Sequence, residues 1–366
     1  MSQTLNISRR LLNLNELGSL CRIWKNPDLC KYCKWKSLIS CPNVTFIQEE
    51  PSSIDLQLLD DRKIYYYDPQ DLEILPETIG SGGSASVCVT KWKNTSTIYA
   101  IKKFVDNKEA YLTNMANGHK HVIQFYGLTK PQDGEKYSLV LEYADGGTLR
   151  DYLRNDAITF EWKHQLKFAK EIASAILWLH DDRGIVHGDL HPNNILIHKD
   201  TTKVSDFGRS FEKEKDCYNK GVLGVIPYMD PRTFNQETTY KINEKCDIYS
   251  LGVLFWELTS RSSPFNYETR EDHISLMLDI LSGLREESIP ITNVKFVELY
   301  QKCWKFESDK RPEIRQVNSE LNSIDSVDNN IASTFYSNIN EKIENEDSDL
   351  SNCEEDCDIN KYYELN

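Results

Sequence analysis

No stretch of the chain reaches the roughly 18 consecutive apolar residues that a bilayer-spanning helix needs, so no membrane span is expected. The opening segment, Met1 to Arg10, has no apolar run either, and no secretory leader is expected. Positive charge is scarce. The 43 Lys and Arg face 57 Asp and Glu for a formal net charge of −14, which argues against a nucleic-acid-binding face. Paired cysteines are scarce too. Of the 10 cysteines most stand alone, which fits free thiols in a reducing compartment. The cytoplasm is therefore the expected location, and the nucleus is compatible. Cys21, Cys30, Cys33 and Cys41 near the N-terminus include a single close pair. A structural zinc site usually draws on two, so free thiols are expected over a zinc knuckle. There is no internal repeat.

What is present divides into three parts. Residues 1–73 are polar, contain four Cys and end in Tyr65-Tyr66-Tyr67-Asp68-Pro69. Residues 325–366 hold twelve Asp/Glu against two Lys, a net of −10 that leaves only about −4 for the rest of the chain. With few large apolar groups, this tail is expected to be disordered. Between them, residues 74–324 change pattern midway. Val87-Cys88-Val89-Thr90 and Ile98-Tyr99-Ala100-Ile101 are β-prone runs around the turn Lys93-Asn94-Thr95, and Ser138 to Glu142 is a third strand candidate. Leu166, Ala169, Ile172, Ala173, Ile176 and Leu179 then fall at helical spacing, and Ile248 to Leu258 is almost wholly apolar, as a buried helix would be. A strand-rich part followed by a helix-rich part predicts an α+β protein of two lobes.

The residues suited to chemistry sit inside this middle region. Gly80-Ser81-Gly82-Gly83-Ser84-Ala85-Ser86-Val87 offers backbone that can approach phosphate oxygens without a Cβ in the way, although a glycine-rich hairpin alone is more often only a turn. Tyr99-Ala100-Ile101-Lys102 follows and puts an ammonium at the end of an apolar strand. The strongest signal is Ile185-Val186-His187-Gly188-Asp189-Leu190-His191-Pro192-Asn193-Asn194-Ile195-Leu196, with Asp206-Phe207-Gly208 twelve residues beyond Asn194. Phosphoryl transfer needs a carboxylate to orient the incoming hydroxyl, hard oxygen ligands for Mg²⁺, and neutralised phosphate charge. Asp189 suits the first task, Asn194 and Asp206 the second, and Lys102 the third. Three unrelated polar loop residues would not show this joint order and spacing.

On these motifs the chain resembles the protein kinase family over roughly residues 74–324. It looks nearest to the tyrosine-kinase-like branch, of the type expanded in fungi. Leu139 to Leu149 resembles the family's hinge, Asp247-Ile248-Tyr249-Ser250-Leu251-Gly252 the helix whose Asp braces the catalytic loop, and Cys303-Trp304 with Lys310-Arg311-Pro312 the closing motif. The resemblance implies a bilobal protein-kinase fold, a small β-rich lobe and a large mainly helical one, that uses ATP and Mg²⁺. It implies catalytic roles for Asp189 and Lys102 and metal ligation by Asn194 and Asp206. It implies ATP contacts from Ile79, Gly80, Gly82, Ala85, Val87, Ala100, Lys102, Leu141, Glu142, Ala144 and Leu196. Leu141 would be the gatekeeper, the backbone of Glu142 and Ala144 would face adenine, and Glu109 and Asp247 would be supporting residues.

Six departures from the family pattern stand out. Ala85 replaces a third glycine and is small enough to be tolerated. Gly188 replaces the Arg usual before the catalytic Asp. His191 and Val225 replace a Lys and a Thr that would pair with each other. Losing both leaves neither buried without its partner, but it weakens the reading of Ser/Thr over Tyr as acceptor. Tyr228-Met229-Asp230-Pro231-Arg232 replaces Ala-Pro-Glu, so Arg311 is expected to lack its Glu and to meet the like charge of Arg232, with Asp230 a partial substitute. On that reading Arg232→Glu stabilises the chain. Finally, only six residues separate Lys102 from Glu109. Asp106-Asn107-Lys108-Glu109 also reads as a capping box, so Glu109 either caps its own helix or holds Lys102.

The sequence thus points to a protein kinase acting on a protein hydroxyl. An ATP-binding pseudokinase or scaffold is the alternative, favoured by Arg232 and by the short approach to Glu109. A small-molecule kinase shares His-Gly-Asp but not the hinge, Asp247 or Arg311 motifs. Gly188 cannot grip a phosphate on the activation segment. Ser210 and Tyr218 are the candidate acceptors there, and pairing with Arg209, Lys213, Lys215 or Lys220 would stay local to that loop. Activity without such phosphorylation is therefore expected, with control through a regulatory partner docking on residues 1–73. Truncation after residue 324 is expected to leave the melting temperature and the transfer rate of the purified protein nearly unchanged. A large loss of either would show that the acidic tail binds in place.

Overall fold

A computed structural model describes residues 64–81, 86–93, 95–130, 137–213, 215, 224–234 and 240–326, with the side chains of 76–81 and 104 outside the description. Cys21, Cys30, Cys33, Cys41, Gly82, Ala85, Tyr218 and Lys220 lie outside the described residues. The first lobe is a six-stranded sheet built from β1 (Tyr66–Tyr67), β2 (Leu72–Ser81), β3 (Ser86–Trp92), β4 (Ile98–Val105), β5 (Phe125–Thr129) and β6 (Tyr137–Glu142). Its strand order is β1-β5-β6-β4-β3-β2. All neighbours run antiparallel except β1, which lies parallel to β5 with Tyr66 opposite Leu128. The sheet therefore begins before residue 74. Helix α1 (Asn107–Ala116) packs against β5 and β6.

The second lobe is mainly helical. It contains α2 (Leu149–Arg154), α3 (Trp162–Leu177), α4 (Lys245–Ser260), α5 (His273–Leu281), α6 (Val294–Cys303) and α7 (Ile314–Ser323), with two short strand pairs between α3 and α4. These pairs are β8 (Ile195–His198) with β9 (Thr201–Val204), and β7 (Ile185–Val186) with β10 (Phe211–Glu212). The expected stripe is the buried one: Leu166, Ala169, Ile172, Ala173 and Ile176 on α3 and Leu179 just past its end all face the core. Every residue of α4 from Cys246 to Leu258 is buried, which is why this helix has no polar face to read. It packs so closely on α6 that a Cβ at Gly252 would lie 2.9 Å from the Trp304 backbone nitrogen. Fully burying an aliphatic or aromatic side chain contributes about 1.5–3 kcal/mol, and the largest buried cluster of this lobe includes residues of α3, α4 and α6.

One sequence expectation is corrected here. Arg311 does not lack a carboxylate and does not face Arg232. Asp230 takes it bidentately, at 2.6 Å from Nη1 and 2.9 Å from Nη2, with both side chains wholly buried. Arg232 instead stacks on the Tyr240 ring at 4.4 Å and donates to Ser308 Oγ at 3.2 Å. The acid has moved two positions along the chain, and the turn at Pro231 brings it to the same guanidinium. Arg232→Glu should therefore lower the melting temperature, because it removes the stacked cation and sets a second carboxylate beside Asp230. Asp230→Ala should cost about 3–5 kcal/mol in urea unfolding, the usual cost of leaving one partner of a buried pair uncompensated. A loss under about 1 kcal/mol would show that the Arg311 backbone-carbonyl contacts suffice alone.

Candidate active site

Strand β4 carries Lys102 into the cleft between the lobes, where its ammonium lies 2.6 Å from Glu109 Oε1 and 2.8 Å from Asp206 Oδ1. The short link to Glu109 is long enough. Asp106 caps α1 by accepting the Glu109 N–H at 2.7 Å, while the Glu109 side chain turns to Lys102 rather than back to its own helix end. Burial alone would push the Lys102 ammonium down, but the Asp206 and Glu109 carboxylates outweigh it and hold the value above the ordinary one. Asp206 shows the converse. Burial works to raise it, and the Lys102 charge together with the Gly208 N–H bond holds it below the usual carboxylate range. Glu109 is raised, because its burial outweighs the Lys102 charge. Asp206 has left-handed backbone, φ +67°, so its carboxylate turns into the cleft at the Phe207-Gly208 bend.

The loop that carries Asp189 hangs on Asp247 in the first turn of α4. Asp247 accepts the His187 N–H at 2.8 Å, the Gly188 N–H at 2.9 Å and the His180 Nε2–H at 2.7 Å. Burial would raise this carboxyl, but the His180 hydrogen bond and charge, with the loop N–H groups, keep it low. His187 then bridges inward. Its Nε2–H donates to Ser205 O at 3.0 Å and its Nδ1 accepts the Asp189 N–H at 3.3 Å. Asn194 Nδ2 donates to Asp189 O at 2.8 Å, which points the Asn194 amide oxygen the other way. Asp189 itself faces His191 Nε2 at 3.7 Å and Arg209 Nη1 at 3.8 Å. Burial would raise Asp189, and His191 and Arg209 bring it below its ordinary value.

Among the described residues, the other expected contact residues lie on β2, β3, β4, β6 and β8 and in the stretch after β6. Val87 on β3 is the register partner of Lys102, and Ala100 on β4 that of Leu141 on β6. Leu196 on β8 bridges to Thr148 just past the hinge, and Ala144 packs on the helical core. The Glu142 side chain pairs with Lys203 at 2.8 Å, and the Glu142 N–H donates to Gln124 O at 2.9 Å. Ile79 and Gly80 lie on β2. Asn194 and Asp206 offer one amide and one carboxylate oxygen, hard donors of the kind Mg²⁺ accepts when phosphates and water fill its other positions. The donor set thus fits that ion.

Two features were not legible beforehand. Ser210, read as a candidate phosphate acceptor, is wholly buried and donates its hydroxyl to His187 O at 2.9 Å, so it is a structural tie. Arg209 is not confined to local pairing within its loop, since it reaches the Asp189 carboxylate. The signal for both was an Arg-Ser pair directly after Asp206-Phe207-Gly208.

The protein kinase domain family matches residues 74–321, and the chain belongs to that family. A mitogen-activated protein kinase kinase kinase 7-like protein of Drosophila melanogaster is 27% identical over 271 residues, 69% of this chain and 66% of that protein. A mitogen-activated protein kinase kinase kinase of Caenorhabditis elegans is 30% identical over 280 residues, 72% of this chain and 37% of that protein. A LIM domain-containing serine/threonine-protein kinase of Dictyostelium discoideum is 27% identical over 333 residues, 87% of this chain and 49% of that protein. The chain thus spans from just under two thirds to little more than a third of these relatives. No helix among the described residues is long and apolar enough to cross a membrane.

Asp247 generates a stability prediction. Its folded-state value is depressed, so its contribution is present above the unfolded value near pH 4 and is lost as pH falls through the lower folded value. Asp247→Asn should cost about 2–3 kcal/mol at pH 7 and flatten the acid side of the urea-midpoint profile. An unchanged midpoint at pH 7 would mean that the loop is held without this charge.

Proposed function

We propose that this protein is an ATP- and Mg²⁺-dependent protein kinase that moves the γ-phosphate to a hydroxyl of another protein, Ser/Thr favoured over Tyr, in cytoplasmic signalling. The observation that carries the reading is the Lys102–Glu109–Asp206 cluster in the cleft opposite a held Asp189. Lys102 would orient ATP phosphates, with Glu109 fixing its direction. Asn194 and Asp206 would hold Mg²⁺, which when bound neutralises phosphate charge. Val87, Ala100, Leu141, Leu196 and the backbone of Glu142 and Ala144 would enclose adenine, with Ile79, Gly80, Gly82 and Ala85 over the phosphates.

Asp189 would orient the acceptor hydroxyl. As the acceptor oxygen bonds to the γ-phosphorus, the bond from that phosphorus to the bridging β-oxygen breaks, ADP leaves with that electron pair, and the hydroxyl proton passes to Asp189. The Ser/Thr preference is supported by the Dictyostelium relative, a serine/threonine-protein kinase. Neither feature that favoured an inactive scaffold supports it now, since Asp230 carries Arg311 and Glu109 reaches Lys102.

The test is radiolabel transfer from ATP to a generic basic protein, with phosphoamino-acid analysis of the product and melting shifts recorded with ATP in Mg²⁺ and in EDTA. Wild type should transfer label to Ser or Thr. Asp206→Asn and Lys102→Met should each lose about a hundredfold or more in rate while remaining folded, the scale of losing a preorganised charge at the transferring group. Mutants at wild-type rate would overturn the site assignment, and a wild type that binds ATP without transfer would support the scaffold instead.

A further inference from the structure

The surroundings of the Asp189 carboxylate are unusual in charge. Lys102 is committed to Glu109 and Asp206, at 2.6 and 2.8 Å. The catalytic loop itself brings no Arg or Lys, because residue 188 is Gly and residue 191 is His. His191 Nδ1 accepts the Asn193 N–H at 3.3 Å, which places the ring hydrogen on Nε2, toward Asp189 Oδ2 at 3.7 Å. Among the described residues a permanent cation beside Asp189 comes from elsewhere: Arg209, whose Nη1 stands 3.8 Å from Oδ1. Both separations exceed a hydrogen bond. The carboxylate is steered by the two groups, yet its lone pairs stay available to an acceptor hydroxyl.

Arg209 is also built into this place. Its backbone occupies the space a side chain at 188 would need: a Cβ there would lie 3.0 Å from Arg209 O and 3.3 Å from Phe211 Cε1. Gly188 has φ +75°, where an L side chain is strained in any case. The Ser210 hydroxyl bond to His187 O, the Ser210 N–H bond to Phe207 O at 3.1 Å, and the β10–β7 pairing fix the backbone on its C-terminal side. The lost side chain at 188 and the arginine at 209 are two halves of one packing arrangement. The backbone that carries this charge is thus fixed before any substrate arrives, and the guanidinium stands 3.8 Å from Asp189, an arrangement that favours electrostatic stabilisation of developing charge.

We propose that Arg209 is the acceptor-side positioning residue of this kinase: its guanidinium faces Asp189 Oδ1 opposite His191, and it supplies the positive charge beside the transferring phosphoryl group that the catalytic loop does not carry. This rests on the kinase reading above. It also gives that reading a reason for activity without activation-segment phosphorylation, since a positive charge beside Asp189 is already in the chain.

The experiment uses the full chain with Arg209→Gln, Arg209→Lys and Arg209→Ala. Steady-state transfer is measured alongside calorimetric titration of MgADP with and without aluminium fluoride, a planar stand-in for the phosphoryl group in flight. Arg209→Gln should lower kcat by about tenfold or more while the KM for ATP and the affinity for MgADP change by less than about threefold. Its affinity for MgADP with aluminium fluoride should fall by about tenfold. Arg209→Lys should keep most of the wild-type rate, and millimolar guanidinium should restore part of the rate of Arg209→Ala. An Arg209→Gln enzyme within about twofold of wild type in both kcat and aluminium-fluoride affinity overturns the proposal. Parallel loss of MgADP affinity and melting temperature, with no rescue by guanidinium or by Lys, overturns it as well, because that is the pattern of a merely structural residue. Should Arg209→Gln not fold, the Lys variant and the rescue decide. Should wild type transfer no phosphate, the kinase reading fails, and the aluminium-fluoride titration still decides the role of Arg209.

Discussion

Asp247 has no exposure to solvent, and a carboxylate so placed keeps its charge only where donors replace water. Those donors are the backbone N–H groups of His187 and Gly188 and the ring of His180 just beyond α3. One charge therefore gathers three segments at the point where α4 enters the core. The consequence passes outward through hydrogen bonds alone. His187, fixed at its N–H, spans Ser205 O and the Asp189 N–H, and Asn194 closes the loop on Asp189 O. The Asp189 carboxylate thus inherits its position from one that faces nothing but protein. α4 can serve as this anchor because its sides are buried on all faces and cannot shift without opening the core.

The second constraint acts between the lobes. Lys102 belongs to the sheet, Glu109 to α1, and Asp206 to the segment after β9. Their contacts at 2.6 and 2.8 Å place two carboxylates around one ammonium, an arrangement with a net negative charge. Without Lys102 the two acids would repel each other, and with it each lobe reports on the other. A second cation at Asp206 would relieve the remaining charge, which is the electrostatic reason the pair Asn194 and Asp206 suits Mg²⁺.

How far the sequence foresaw this depends on the length scale of each interaction. The strands around Val87 and Ile98 and the helix around Leu166 to Leu179 show in the pattern because burial repeats with the period of the element. Asp189, Asn194 and Asp206 stand out by their joint order and spacing and Asp247 by the resemblance of its motif, and the fold brings Lys102 to Asp206 and hangs the Asp189 loop on Asp247. Glu109 was ambiguous for a local reason: Asp106 and Glu109 have capping-box spacing, and only the fold reveals that the cap uses the Glu109 N–H and frees its carboxylate. Ser210 was misread because hydroxyl burial leaves no trace in polarity; its partner, His187 O, is 23 residues away. Arg311 was misread because a motif position was taken for a spatial one.

Two displaced ion-pair partners share a physical logic. At Arg311 the acid is carried by Asp230 instead of residue 232, and at Asp189 the neighbouring arginine is carried by residue 209 instead of residue 188. In each the contact is made by a guanidinium, whose long side chain and forked donors tolerate a partner that arrives from a different backbone position. Contacts made by backbone N–H groups, such as those of His187 and Gly188 to Asp247, have no such reach and stay where the motif puts them. Departures from a family's pattern should therefore concentrate at side-chain ion pairs and spare the backbone-anchored carboxylates. A missing arginine or glutamate in such a chain signals first that its charge comes from another position, and only where no charge stands there does it signal a lost activity.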